Sequence, residues 1–183
     1  MADPPTPDIA RRNRHQATVA YGLLDLWSCA LQMQADRLDD DWGPGVESRH
    51  VRERIIEAHF FLIAARNIWR ALELASGAGS KAAKRQVRQL RADSVVQRMR
   101  SLLEHIDRHA HDYEPDDTIM SVDSPLGRTK PTIVTPDGSV DVAALERRLR
   151  DAVDEVRDDL KTILAAASGR YGDDVVANSD PSA

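Results

Sequence analysis

Two arginines and a histidine lie close together in the segment Arg98-Met-Arg-Ser-Leu-Leu-Glu-His105. Arg100 precedes His105 with four residues between them, and Arg98 precedes it with six. An imidazole can take the proton of a ribose 2′-OH or return a proton to the leaving oxygen, and a guanidinium can bind the phosphate that links them. The segment therefore predicts RNA cleavage without a metal or other cofactor, with Arg98, Arg100 and His105 as the catalytic candidates.

Helix geometry distinguishes between the two arginines. In a helix the apolar stripe of this segment is centred near Met99 and Ile106. Arg98 and His105 then lie within roughly 20° of each other on one flank of the stripe, whereas Arg100 lies about 140° from His105. On an ideal helix Arg98 is the better partner, and Arg100 requires a side chain that wraps around the helix, a local distortion or a second subunit.

A cluster of basic residues precedes this segment. Residues 81–100 contain seven bases and one acid, a local net charge of +6 in a chain whose total is −5. Lys84, Arg88 and Arg91 follow each other at intervals of four and three residues, which places them on one helix face. We expect this face to bind the RNA backbone; the alternatives are a solvated helix face and a docking site for an acidic protein.

Further histidines allow a different chemistry. His105, His109 and Asp112 have the spacing of ligands on one helical face, so a metal-dependent enzyme is a third interpretation. His109 is alternatively a second imidazole of the RNA-cleaving site, or a solvent-exposed residue near the end of its helix. Metal-free chemistry remains our main expectation.

The periodic spacing of apolar residues predicts that most of the chain is helical. Thr6 and Pro7 predict a helix start, Gly43-Pro44-Gly45 separates the first two helices, and Asp141 predicts the N-cap of the last. The expected helices span residues 7–38, 48–75, 81–90, 94–110 and 142–167. Before the last helix, residues 118–122 and 132–135 predict a small hairpin or an ordered loop. The fold class is an all-α bundle of about five helices, with a small β-hairpin or extended loop before the last helix.

Composition limits the remaining possibilities. The chain has 183 residues, which predicts one domain over residues 6–167, followed by a flexible tail at 168–183. Its one cysteine, Cys29, excludes an intramolecular disulfide and is expected to be an inert core residue. No apolar run is long enough to span a membrane, and no secretory signal is evident. We therefore expect a soluble cytoplasmic protein that does not contact membranes.

The second helix is apolar on nearly every side from Ile55 to Ala65. Such a helix is either central in its own bundle or shared with a second subunit. In so small a chain we favour sharing, so residues 55–69 are expected to form a homodimer interface.

The Arg-x4-His spacing of Arg100 and His105, near the start of a late helix in an all-α chain, resembles the HEPN superfamily, whose motif is Arg-x(4–6)-His. The resemblance implies a helical homodimer whose paired motifs cleave RNA without a metal, in a family that also includes inactive RNA-binding members. By position, His105 is the general acid/base, Arg100 or Arg98 the phosphate ligand, and Ser101 takes the polar slot where Asn, Asp or His is more usual. Toxin–antitoxin members also imply a neutralising protein partner. The alternative is a non-enzymatic helical scaffold that binds proteins.

Overall fold

A computed structural model describes residues 6–39, 48–109, 121–123, 131–135 and 138–176 of the chain. Within these ranges it is a helical bundle with one small antiparallel sheet, so the expected all-α class is confirmed. The helices are α1 (Pro7–Asp39), α2 (Ser48–Gly77), α3 (Lys81–Ala92), α4 (Ser94–His109) and α5 (Val142–Val176). The strands are β1 (Ser121–Asp123), β2 (Thr132–Thr135) and β3 (Gly138–Asp141).

The long helices α1 and α2 form an antiparallel hairpin on which α5 packs. α1 contributes a stripe spaced at three and four residues, because those positions share one helix face. The stripe is fully buried at Ala17, Ala20 and Leu24. The opposing face of α2 is buried from Ala58 to Ala75, with Phe61 among the largest buried side chains.

Polar contacts fix the register of the hairpin. Arg37 forms an ion pair with Glu57 at 3.3 Å. Next to it, the Arg54 guanidinium donates to the Leu38 carbonyl at 3.4 Å, and burial lowers the pKa of Arg54. These contacts place the end of α1 beside the start of α2. A residue of α1 and a residue of α2 therefore lie at about the same height along the hairpin when their numbers add to about 94.

A buried clamp attaches α3 to α5. Ser80 is the N-cap of α3, and its hydroxyl accepts a hydrogen bond from the Ala83 amide at 3.0 Å. The same hydroxyl donates to Asp159 of α5 at 2.5 Å, and the Ala82 amide donates to that carboxylate at 3.2 Å. Asp159 thus binds two donors at the helix N-terminus, where the dipole also favours a negative charge.

One residue, Asp93, separates α3 from α4. Its backbone N–H donates to the Leu90 carbonyl of α3 at 3.2 Å, and its carboxylate accepts from the Val95 amide of α4 at 2.9 Å. Arg148 of α5 pairs with the same carboxylate at 2.9 Å. The expected start of α4 at Asp93 or Ser94 is therefore confirmed, with Asp93 as the capping residue.

The segment before α5 forms three strands in the order β1-β2-β3, both pairs antiparallel. In the register Val122 lies opposite Ile133, and Ile133 lies opposite Val140. Ile133 and Val140 are buried and attach the sheet to the bundle. The sequence predicted strands only as far as residue 135 and missed β3, which ends at the confirmed cap Asp141, whose carboxylate accepts from Ala144 at 2.8 Å.

Two local expectations are corrected. α5 continues to Val176, through residues that were expected to belong to the tail; the glycines there cost about 1 kcal/mol each relative to alanine, and no proline interrupts the helix before residue 181. Cys29 is exposed and is no core residue, because α1 turns it away from the buried stripe. None of the helices in the described ranges combines the length and apolar character needed to cross a bilayer.

Candidate nucleic-acid interface

The Arg-His segment lies on α4, whose backbone is helical throughout from Ser94 to His109. Val96, Met99 and Leu103 are buried and attach this helix to the bundle. Arg98 is exposed and forms no ion pair with any described side chain. Because the helix is continuous, position 105 follows Arg98 by two turns on the same flank, within roughly 20°.

Arg100 lies on a different flank of α4 and contacts α2. Its guanidinium carbon lies 5.7 Å from the centre of the Trp69 ring, within the range of a cation–π interaction. Trp69 is only 6% exposed, so the guanidinium lies against the indole of a buried residue. Arg100 is therefore directed toward α2, which leaves Arg98 as the arginine that shares a flank with position 105.

The structure describes only one of the other candidate side chains in this part of the chain. Ser101 is exposed on α4. The side chains of His105 and His109 lie outside the described residues, as does the whole of Asp112. The alternative metal site falls on these three positions; among the side chains that the structure does describe, no group of three or more His, Cys, Asp or Glu could hold a metal ion.

The predicted basic face of α3 is exposed, but one of its three positive charges is paired with an acidic side chain. Lys84 and Arg88 are exposed and form no ion pair with a described side chain. Arg91 pairs with Glu73 of α2 at 3.1 Å, and Arg85 pairs with Glu155 of α5. Of the predicted basic face, Lys84 and Arg88 therefore carry the unpaired positive charge, while Arg91 is paired with α2; Lys81, at the start of α3, is also exposed and forms no ion pair with a described side chain.

A cavity of about 450 Å³ lies elsewhere, between α1 and α5, and periodicity did not indicate it. Cys29 is among its lining residues. Four of its charged residues are paired: Arg157 pairs with Asp25 at 2.5 Å, and Arg150 pairs with Glu146. The fifth, Asp154, is exposed and forms no ion pair with a described side chain.

The outside of the α1–α2 hairpin carries exposed apolar side chains, and the sequence analysis did not predict those on α1. On α1, Leu26 is 59% exposed and Met33 49% exposed; on α2, Ile56 and Phe60 are 52% and 51% exposed. Within residues 55–69, where a homodimer interface is predicted, most apolar side chains are buried inside the chain, and Ile56 and Phe60 mark the part that is not. A second apolar period within α1 was the sequence signal that could have revealed this surface.

Comparison with protein-family models, with curated proteins and with solved structures gave no match to this chain.

Proposed function

We propose that this chain binds RNA through α3 and α4 and cleaves it without a metal, as a HEPN-like homodimer. The observation that carries the proposal is the shared flank of α4, where the exposed Arg98 stands two helical turns before position 105. The exposed cations Lys84 and Arg88 on the preceding helix support it, because binding along an RNA backbone requires several accessible positive charges.

In the proposed reaction the His105 imidazole takes the proton of a ribose 2′-OH. The 2′-oxygen then attacks the adjacent phosphorus, the bond from phosphorus to the 5′-oxygen breaks, and the His105 imidazolium returns its proton to that oxygen. Arg98 binds the non-bridging phosphate oxygens, where negative charge increases in the transition state. The products carry a 2′,3′-cyclic phosphate and a 5′-OH.

The experiment compares single variants on a labelled RNA in the presence of EDTA. We expect His105→Ala to lower the cleavage rate by about 100-fold or more while RNA binding persists, because a general acid/base is lost. His15→Ala, on the exposed surface of α1, is the matched control and should leave the rate unchanged. Unchanged cleavage by His105→Ala, with the melting temperature of the wild type, would refute the assignment.

The two arginines give a second comparison. Arg98→Ala should lower the cleavage rate by about 100-fold, as expected for loss of a transition-state donor, whereas Arg100→Ala should mainly affect stability through Trp69. Equal losses in both variants would contradict this division. RNA binding without cleavage in the wild type would instead identify an inactive RNA-binding relative.

A non-enzymatic scaffold is the second candidate, and the exposed apolar surface of the α1–α2 hairpin favours it. Exposed side chains such as Leu26 and Phe60 are typical of surfaces that bind proteins. This candidate predicts no RNA binding above that of a basic-face variant, Lys84→Glu/Arg88→Glu, at physiological salt.

A further inference from the structure

The cavity between α1 and α5 lies between two polar bridges that join these helices. At one end Arg157 of α5 pairs with Asp25 of α1 at 2.5 Å. At the other end the Arg150 guanidinium donates to the side-chain oxygen of Gln32. Both bridges join positions whose numbers add to the same total, so the two helices run antiparallel. Along α1 the bridges are about 10 Å apart at 1.5 Å per residue.

Both bridges are held in place by further contacts within the chain. The Arg157 guanidinium carbon lies 5.8 Å from the centre of the Tyr21 ring, within the range of a cation–π interaction. Arg150 also pairs with Glu146, which is only 6% exposed. Because each arginine contacts two groups of its own chain, the end walls of the cavity are formed before a ligand arrives. Such preorganisation lowers the entropic cost of binding.

The floor of the cavity is apolar and reaches the core. It is lined by Leu31 of α1, Ile68 of α2 and Val153 of α5, each at most 2% exposed. The volume of about 450 Å³ lies within the range of roughly 300 to 1,000 Å³ that is typical of small-molecule sites. Size and floor therefore favour a small ligand with an apolar part.

Two hydrogen-bond acceptors face each other midway between the bridges. In the antiparallel register Asp154 of α5 lies at the height of Ser28 of α1, and both line the cavity. Asp154 is exposed and forms no ion pair with a described side chain. The Ser28 hydroxyl donates to the Asp25 carbonyl at 3.1 Å, so its oxygen can accept from a ligand. A protonated amine carries three N–H donors and can bind both groups.

The charge of the cavity favours a cation. Its lining has three acidic and two basic side chains, a net charge of −1. Charges on the adjoining flank of α5 cancel, since two are acidic and two basic: Arg147, Asp151, Asp158 and Lys161. On α1 the neighbouring Asp36, which accepts from Gln32 at 2.8 Å, is a further acid. A cation is therefore attracted to this cavity and an anion is repelled.

We propose that this cavity is a binding site for a small organic cation, a protonated amine carried on an apolar body. The ammonium group donates to the Asp154 carboxylate and to the Ser28 hydroxyl. The apolar body lies on Leu31, Ile68 and Val153, between the two bridges. A neutral ligand of the same shape loses the charge-assisted hydrogen bond to Asp154, and an ammonium group without an apolar body gains nothing from the floor.

The amine site is separate from the proposed RNA site. Asp159, which binds Ser80 at the start of α3, lies about 140° around α5 from Asp154. The cavity is thus on a different side of α5 from the basic helix α3. Amine binding does not depend on the proposed function, and it uses none of the cations assigned to RNA.

Cys29 provides a built-in reporter of occupancy, because it lines the cavity, is exposed and is the one cysteine of the sequence. The first experiment follows its alkylation by iodoacetamide at neutral pH by mass spectrometry. Phenethylamine and hexylamine should slow the reaction with saturation, with half-maximal protection at millimolar concentrations or below. Phenethyl alcohol, which is neutral, and methylamine, which lacks the apolar body, should not protect at the same concentrations. Absence of protection by both larger amines, or equal protection by phenethyl alcohol, overturns the proposal.

Two variants of α5 test the role of the unpaired carboxylate. Asp154→Asn should raise the half-protecting concentration of phenethylamine by about 10-fold or more, since a charge-assisted hydrogen bond is lost. Asp151→Asn is the matched control: it removes the same charge from an exposed position one turn away, outside the cavity lining, and should change that concentration by less than about twofold. Equal effects of the two variants, or none in Asp154→Asn, would contradict the assigned site.

The second measurement is thermal unfolding with phenethylamine at about ten times its half-protecting concentration. The amine should raise the melting temperature by about 3 to 6 °C in the wild type and in Lys84→Glu/Arg88→Glu, and by much less in Asp154→Asn. Loss of this shift in Lys84→Glu/Arg88→Glu would overturn the location of the site. Neither measurement uses RNA. A protein that binds amines without cleaving RNA therefore refutes only the proposed function, and a nuclease without amine binding refutes only this inference.

Discussion

Removing the Asp159 carboxylate should strongly destabilise the attachment of α3 to α5. In Asp159→Ala the Ser80 hydroxyl, 0% exposed, loses the acceptor of its 2.5 Å hydrogen bond, and the Ala82 amide loses its 3.2 Å bond. Hydrogen bonds to a charged group contribute about 1.5 kcal/mol each at the lower end of their range, which suits a half-buried carboxylate. The expected loss in the free energy of unfolding is therefore about 3 kcal/mol, or about 6 to 12 °C in melting temperature.

The neighbouring Asp158 supplies a matched control. Its side chain is 79% exposed and pairs with Lys161 at 3.1 Å on the same helix. Asp158→Ala removes the same charge and should cost less than about 0.5 kcal/mol. Urea unfolding followed by circular dichroism measures both variants.

A double-mutant cycle separates the clamp from general effects of charge. Ser80→Ala alone should cost about 1 to 2 kcal/mol, because it removes the N-cap of α3 as well as the donor to Asp159. The Ser80→Ala/Asp159→Ala variant should cost less than the sum of the single variants by about 1 to 2 kcal/mol. Additive losses, or an Asp159→Ala variant as stable as Asp158→Ala, would refute the reasoning.

Three further substitutions can be measured by the same urea unfolding. Asp93→Ala should cost about 1 to 2 kcal/mol as a lost N-cap, and Arg148→Ala, which removes only the 2.9 Å ion pair, should cost less than half as much; equal costs would show that the ion pair dominates. Phe61→Ala should cost about 3 to 5 kcal/mol, because it empties a fully buried site, and a loss under about 1 kcal/mol would contradict the observed packing. Gly138→Ala should cost about 1 to 3 kcal/mol through backbone strain at φ 147°, whereas Gly77→Ala at the end of α2 should be neutral or stabilising because nothing lies within 4 Å of the added methyl; equal effects at the two glycines would argue against strain.

Most of the helical fold could be predicted because its signals are local. A Thr-Pro pair at residues 6 and 7 indicated the start of α1, and Asp141 indicated the start of α5. The stripe through Ala17, Ala20 and Leu24 identified the buried face of α1. Such features depend on backbone geometry and side-chain spacing within a few residues, which the sequence contains.

The missed features depend on distant partners. Strand β3 forms because Val140 pairs with Ile133 of β2, and its own four residues carry too little pattern to predict it. α1 contains two overlapping apolar repeats, one through Leu24 and one through Leu26. Spacing alone cannot say which of them the chain buries, since both fit a helix equally well. The structure resolves this by packing α2 and α5 on the first.

In the candidate site, too, local features could be predicted from the sequence and contacts between distant residues could not. The shared flank of Arg98 and position 105 follows from helix geometry and could be derived from their spacing. The contact of Arg100 with Trp69 could not, because it joins two helices that are separated in the chain. Nor could the pairing of Arg91 with Glu73, which lowers the net charge of the basic face.

The junction at Asp93 makes α3 and α4 mechanically continuous. Beyond the capping contacts, the Asp93 carbonyl accepts from the Gln97 amide at 3.0 Å, and the Gln97 side chain donates back to the Arg91 carbonyl at 2.9 Å. These contacts on both sides of Asp93 fix the angle between the two helices. A nucleic-acid strand that bound along α3 and displaced it would therefore tilt α4 as well, with Arg148 holding the junction to α5.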